Sequence, residues 1–352
     1  MEAARFMVKP HEPVLITGAA GFLGPAVVER ALYHGFRHIR AFIRPSSDAS
    51  RLSALARKYR SEALVEIISG NLLMREDCKA AANGAAVIFH LATTSRDKSF
   101  AGAYLNSVVT TRNLLDASLE TANLKRFVNV SSFAVYTNTG KHSRLLDESA
   151  PVETQPERRG EAYCYAKTKQ DEIVAEYGRQ FGLPYVIVRP GSVYGPGKTG
   201  ITGRVGIDSF GPFLHMGGGN TIPFTYVDNC ADAILFAGVK EEVEGEVFNI
   251  VDDDLPSSRR FLRLYKRNVK RFRSLYVPRA ASYALCWLWE KYYAWSEGQL
   301  PPAFNRGRWH AEWKKTRYSN EKAKTRLGWR PQVSMDEGLR RYFEACREAQ
   351  HS

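Results

Sequence analysis

Tyr163 and Lys167 stand four residues apart in Tyr163-Cys164-Tyr165-Ala166-Lys167, a spacing that puts both on one face of a helix. A tyrosine hydroxyl is a weak acid, with a reference pKa of about 10. A lysine ammonium one turn away, together with a cationic nicotinamide ring, would favour the phenolate and bring the proton into reach near neutrality. Ser132 ends a strand pattern in Ser131-Ser132 and can donate a hydrogen bond to a substrate oxygen. Hydride transfer to or from a secondary alcohol needs such a set: Ser132 to polarise, Tyr163 to carry the proton, Lys167 to tune it. Tyr165 and Tyr177 in the same helix read as packing.

The hydride carrier has a place upstream. Thr17-Gly18-Ala19-Ala20-Gly21-Phe22-Leu23-Gly24 puts glycines at 18, 21 and 24 between a strand pattern and a helix pattern. Glycine allows a tight turn and close approach of a pyrophosphate, and the helix start offers free N–H groups. The next strand ends Phe42-Ile43-Arg44-Pro45-Ser46-Ser47, with no acid before Asp48. An acid there would hold a ribose 2′-hydroxyl, whereas an arginine suits a 2′-phosphate. Arg44 therefore favours NADP(H) over NAD(H), unless it stacks on the adenine and serves either.

Strands alternate with helices, which calls for a mostly parallel sheet between helical layers. Strand patterns cover 13–18, 38–44, 64–70, 86–92, 126–132 and 185–191. Helix patterns cover Phe22–Tyr33, Arg75–Ala82, Tyr104–Thr121 and Tyr163–Phe181. Asn138–Gly160 and the glycine-rich 195–219 read as loops. The fold class expected is α/β, a Rossmann-type doubly wound parallel sheet with a smaller, mostly helical C-terminal substrate domain. Residues 1–190 form the dinucleotide domain, with 225–252 returning to it; 191–224 and 253–352 form the substrate domain.

The five cysteines have no CxxC spacing, and the first residues hold no signal-peptide pattern, so a cytoplasmic chain without a metal site is expected. The net charge of +13 is not spread evenly: Arg259 to Arg347 carries 22 Lys/Arg against 7 Asp/Glu. A basic quarter on a near-neutral remainder argues for one anionic partner surface and against general nucleic-acid binding. A small-molecule substrate and a homodimer are the other partner expectations. His90 reads as a packed or loop-ordering histidine, His215 as conformational, and Asp252-Asp253-Asp254 as a solvated turn.

Taken together, the motifs resemble the extended short-chain dehydrogenase/reductases, which include nucleotide-sugar epimerases and dehydratases and the 3β-hydroxysteroid dehydrogenases. TGAAGFLG, HLAT (90–93), VSSFAVY (130–136), YCYAK, RPGSVYGPG (189–197), TYVDNCADA (225–233) and KAKTRLGWRPQVSMDEGL (322–339) appear in that family's order. The resemblance implies Ser132, Tyr163 and Lys167 as the catalytic triad. It implies Gly18, Gly21, Phe22, Leu23 and Gly24 on the pyrophosphate, and Asn71 and Leu72 near the adenine. Leu91, Ala92, Thr93 and Ser131 would border the cofactor, and Pro190 and Val193 the nicotinamide. Two positions depart from the pattern. The usual Asp after the third strand is Asn71, whose amide oxygen would have to serve, and the Asn early in the fourth helix falls on Ser107, with Asn106 one place ahead.

The substrate divides two readings. Sugar-nucleotide members carry an Arg-Asp pair before the strand equivalent to FTYVDN, where this chain has Thr221-Ile222-Pro223-Phe224. Losing that arginine removes a phosphate contact and favours an apolar or amphipathic secondary alcohol, as in the hydroxysteroid branch. A UDP-sugar 4-epimerase stays open if Arg306 or Arg308 meets the diphosphate, and a non-catalytic cofactor-binding protein is a third reading. The segment 259–296 is either an amphipathic basic helix and aromatic stretch lying on an anionic membrane, or a helix packed on the substrate domain with the tryptophans walling the pocket.

Overall fold

The computed structural model describes residues 6–94, 97, 99–137, 145–209, 211–296 and 305–351. Seven parallel strands form the main sheet: β1 (Val14–Thr17), β2 (His38–Ile43), β3 (Leu64–Ser69), β4 (Val87–His90), β5 (Arg126–Val130), β6 (Tyr185–Pro190) and β7 (Val247–Ile250). Their order is β7-β6-β5-β4-β1-β2-β3. Strand alternation sends neighbours to opposite layers. Val14, Ile16, Val87, Phe89, Val128, Val186 and Val188 enter one core, and Leu15, Ile88, Phe127 and Ile187 the other. A sheet covered on both faces needs such unbroken apolar runs.

Helices α1 (Gly24–Tyr33), α2 (Ser50–Lys58) and α3 (Arg75–Ala82) follow the first three strands. The sequence pattern does not announce α2, since Leu52 is its one buried residue. Helix α4 comprises Phe100–Ala103, a π-helical stretch Tyr104–Val109, and Thr110–Leu119. It starts four residues before the expected Tyr104, with Ser99 as N-cap accepting from the Gly102 N–H. Helix α5 (Ala162–Phe181) carries Tyr163 and Lys167, and α6 (Val227–Val239) packs against α1.

The chain beyond β7 forms α7 (Ser258–Asn268), α8 (Arg279–Trp295), α9 (Arg306–Glu312) and α10 (Met335–His351). The glycine-rich 195–219 is more ordered than a loop. Gly206–Ile207 pairs antiparallel with Phe213–His215, which pairs parallel with Ser274–Tyr276. That third strand draws the chain out of α7 after Asn268, and Phe272 packs edge-on against Phe213. The apolar side of α7 is not available to a membrane: Phe261, Leu262 and Tyr265 are buried, Phe261 against Phe224 and Tyr265 against Phe343. The tryptophans of this region divide. Trp287 and Trp295 are exposed, while Trp309 and Trp313 fill the small core with Cys286 and Met216.

Candidate active site

The sheet order reverses between β1 and β4, and this switch point opens the crevice in which such sheets bind ligands. The glycine loop leaves the C-terminal end of β1, and Leu91, Ala92 and Thr93 leave that of β4. Gly18 has φ +67°, and a Cβ there would lie 2.9 Å from the Ala92 nitrogen. Gly24 is needed for a different reason: a Cβ would meet the Ala19 oxygen at 2.3 Å, so only glycine lets α1 start against the loop. Leu23 precedes α1 and offers no capping side chain, and no acid occupies the first turn. The first helical N–H groups are thus left for an anionic ligand. A cradle closed to any Cβ, an uncapped helix start and a switch point fit a dinucleotide.

Arg44 is exposed just beyond β2, and the nearest acid, Asp48, is spent on Ser50, whose N–H and hydroxyl both donate to it at 2.9 Å. Asn71 does not present a free amide oxygen: its Oδ1 accepts from the Leu73 N–H at 3.0 Å, closing a turn after β3. The expected adenine contact through that oxygen must compete with the turn. His90 is buried between the Thr17 and Thr111 hydroxyls, 2.8 Å on each side. Burial draws its pKa down to about 3, so it is a neutral link between β1 and α4.

Tyr163 lies in the first turn of α5, and Ser132 caps the short 3-10 turn Phe133–Val135 after β5, accepting from the Ala134 N–H at 3.2 Å. Burial raises the Tyr163 phenol above its ordinary value, and a hydrogen bond from Ser132 opposes the rise. Lys167 lies one turn further along the same helix and is buried. Its ammonium donates to the Val130 carbonyl at 2.7 Å, and burial draws its pKa down to about 8. With burial holding the phenol above its ordinary value, the free protein does not hold Tyr163 as a phenolate at neutral pH, and the Ser132 hydrogen bond works against the rise. Pro190 ends β6 opposite Ile250, and Val193 lies in a short strand, Ser192–Tyr194, beside Phe224–Tyr226.

Several further residues order this site. Asp171, one turn beyond Lys167, is buried and accepts from Asn129 at 2.8 Å and from the Arg189 guanidinium at 3.0 Å. Arg189 also lies 4.8 Å from the Tyr136 ring centre, and Tyr136 donates to Asn249 at 2.7 Å. Gln170 donates to Ala92 O at 3.3 Å and Thr111 Oγ at 2.7 Å, which ties α5 to the loop after β4. The Ser107 hydroxyl accepts from the Thr94 N–H at 3.1 Å, whereas Asn106 turns to Asp97 at 3.0 Å. Ser107 thus holds the loop bordering the cofactor crevice, on the π-helical stretch that departs from regular spacing.

The remaining candidates separate. His215 is buried, 3.0 Å from the Ser258 hydroxyl, and accepts from the Gly218 N–H, so it closes a turn. Asp252 overturns the solvated-turn reading. It is buried, accepts from Tyr226 N and Asn229 Nδ2, and burial raises its pKa to about 7. Asp253 instead pairs with Lys324 at 2.6 Å, and among the described residues no His, Cys, Asp and Glu group could hold a metal. Arg306 is paired with Glu290 at 2.7 Å. Arg308 lies 3.7 Å from Glu161 and 3.4 Å from Glu312. Thr221 bridges to Ser257, and Ile222 and Phe224 are buried.

A family model for the NAD dependent epimerase/dehydratase family matches residues 14–251. The chain belongs to that family. It is a nicotinamide-dependent enzyme of the extended short-chain dehydrogenase/reductase type, on a seven-stranded parallel Rossmann-like sheet. It is 26% identical over 354 residues to a 3beta-hydroxysteroid-dehydrogenase/decarboxylase (isoform 1) of Arabidopsis thaliana, covering 94% of this chain and 79% of that protein. It is 28% identical over 251 residues to a trifunctional UDP-glucose 4,6-dehydratase/UDP-4-keto-6-deoxy-D-glucose 3,5-epimerase/UDP-4-keto-L-rhamnose-reductase of the same plant, covering 67% of this chain but 36% of that protein. Its fold matches the crystal structure of UDP-glucuronic acid 4-epimerase from Bacillus cereus in complex with UDP-glucuronic acid and NAD. There the TM-score is 0.71 at 22% identity, over 96% of this chain and 99% of that one.

Proposed function

We propose that this enzyme interconverts a secondary alcohol and a ketone on an apolar or amphipathic substrate, with Ser132, Tyr163 and Lys167 as its catalytic residues. The observation that carries this reading is the charge on the substrate side. Thr221–Phe224 brings buried apolar side chains where a diphosphate would need a cation, and Arg306 and Arg308 already face Glu290, Glu161 and Glu312. A phosphate would have to break those pairs to gain its own contact.

Gly18, Gly21, Phe22, Leu23 and Gly24 would hold the pyrophosphate of the dinucleotide, and Lys167 its nicotinamide ribose. When bound, the cofactor supplies the hydride acceptor or donor. Ser132 donates to the substrate oxygen, and Tyr163 removes or returns the hydroxyl proton. Incubation with secondary alcohols and with UDP-sugars, following product and reduced-cofactor absorbance together, tests the reading. Net reduced cofactor with an alcohol supports it. Sugar interconversion with no net reduction would assign the site to a 4-epimerase instead.

Arg44, exposed and with no ion-pair partner among the described residues, favours NADP(H). Arg44→Ala is expected to weaken NADP(H) binding far more than NAD(H) binding in fluorescence titration. Equal losses would mean that Arg44 stacks on the adenine and does not select.

A further inference from the structure

Helix α8 is apolar on the side that faces away from the protein. Its inner side is filled: Ser282 and Cys286 are buried, and Tyr283 packs edge-on against Trp309 at 5.1 Å. At about 100° per residue, Leu285, Leu288, Tyr292 and Trp295 then share the opposite side, 52, 54, 46 and 78% exposed. No charged residue interrupts that stripe, and Lys291 borders it, 6.0 Å from the Trp287 ring. Among the described residues, 8 of the 16 exposed large hydrophobic side chains fall between Leu275 and Trp295. Such a concentration marks an interaction surface.

The charge of the segment that carries it says what kind. From Arg259 to Lys291 there are ten Lys/Arg and one acid, Glu290, and Glu290 is held by Arg306. The chain leading into α8 exposes Lys270, Arg271 and Arg273. We propose that this face docks on an anionic lipid surface, its leucine and aromatic side chains entering the headgroup boundary and its cations meeting the lipid phosphates. A second copy of the chain fits less well, because a two-fold contact would bring two such basic segments together. The attachment is peripheral: no helix among the described residues is long and apolar enough to cross a membrane. It holds for either substrate class and does not rest on the alcohol reading.

Sedimentation of the full chain with vesicles tests it. The protein should pellet with vesicles containing phosphatidylserine at low salt, stay in solution with pure phosphatidylcholine, and leave the pellet as salt shortens the screening length below about 10 Å. Leu288→Glu with Trp295→Glu, both at exposed positions, should abolish pelleting while leaving the circular dichroism spectrum unchanged. Arg271→Glu with Arg273→Glu should weaken binding at least about tenfold. A supernatant protein with anionic vesicles at low salt would overturn the proposal. So would Leu288→Glu with Trp295→Glu converting a dimer to a monomer in analytical ultracentrifugation without altering vesicle binding.

Discussion

Tyr163→Phe is expected to lower turnover by at least about two orders of magnitude, the scale of a positioned proton-transfer group, while leaving cofactor affinity nearly unchanged. The ring keeps its place in the first turn of α5, and what is lost is the hydroxyl that Ser132 hydrogen-bonds. The pH profile carries a second signature. Because burial raises the phenol above its ordinary value, the free protein holds little phenolate at neutral pH. Alcohol oxidation needs the unprotonated form, so kcat/KM for oxidation should climb with pH across the neutral range. Ketone reduction needs the proton and should not show that climb. In Tyr163→Phe the pH-dependent rise should vanish with the rate. Steady-state kinetics in both directions check this, and comparable turnover in the variant would remove Tyr163 from the chemistry.

The second large effect concerns stability. Arg189 and Asp171 form an ion pair with side chains only 7% and 5% exposed. Removing one partner of such a pair leaves a buried charge behind and costs about 3–5 kcal/mol. Arg189→Met is therefore expected to lower the unfolding free energy by that amount, read as a lower midpoint in denaturant titration. The sign of its pH dependence follows from the carboxyl. Burial already raises the Asp171 pKa with Arg189 opposing, so losing Arg189 raises it further. The folded variant then binds more protons than the unfolded chain over a wider range, and its deficit relative to the native protein should grow as pH rises. Asp171→Leu added to Arg189→Met should recover part of the loss, since the unpaired carboxylate is then gone. A single-variant cost under about 1 kcal/mol would show that water or rearrangement satisfies Asp171.

What was legible in the sequence follows physical lines. The strands were readable because both sheet faces are buried, and that forces continuous Val/Ile/Leu runs such as 14–16 and 186–188. The glycine loop was readable as a motif, yet why Gly24 must be glycine depends on the Ala19 carbonyl, a contact no spacing rule contains. Asn129 and Asp171 were not legible, because each is an ordinary polar residue until the fold joins positions 42 residues apart, and RPGSVYGPG holds Arg189 without telling that it pairs with Asp171. Lys167 shows the limit of helical spacing: four residues put it on the face of Tyr163, but the Val130 carbonyl decides where its ammonium rests. Amphipathicity likewise names a face and not its partner. The apolar side of α7 met Phe224 and Phe343, whereas the outer side of α8 stays exposed.

The most direct test of the central claim uses a secondary alcohol carrying deuterium on its carbinol carbon, given with oxidised cofactor to the purified protein. If Ser132, Tyr163 and Lys167 serve a dehydrogenase, mass spectrometry should find the label in free reduced cofactor, in step with ketone formed. Label that never reaches the free cofactor, with UDP-sugars interconverted and their own carbon-bound deuterium retained in the product, would contradict the account.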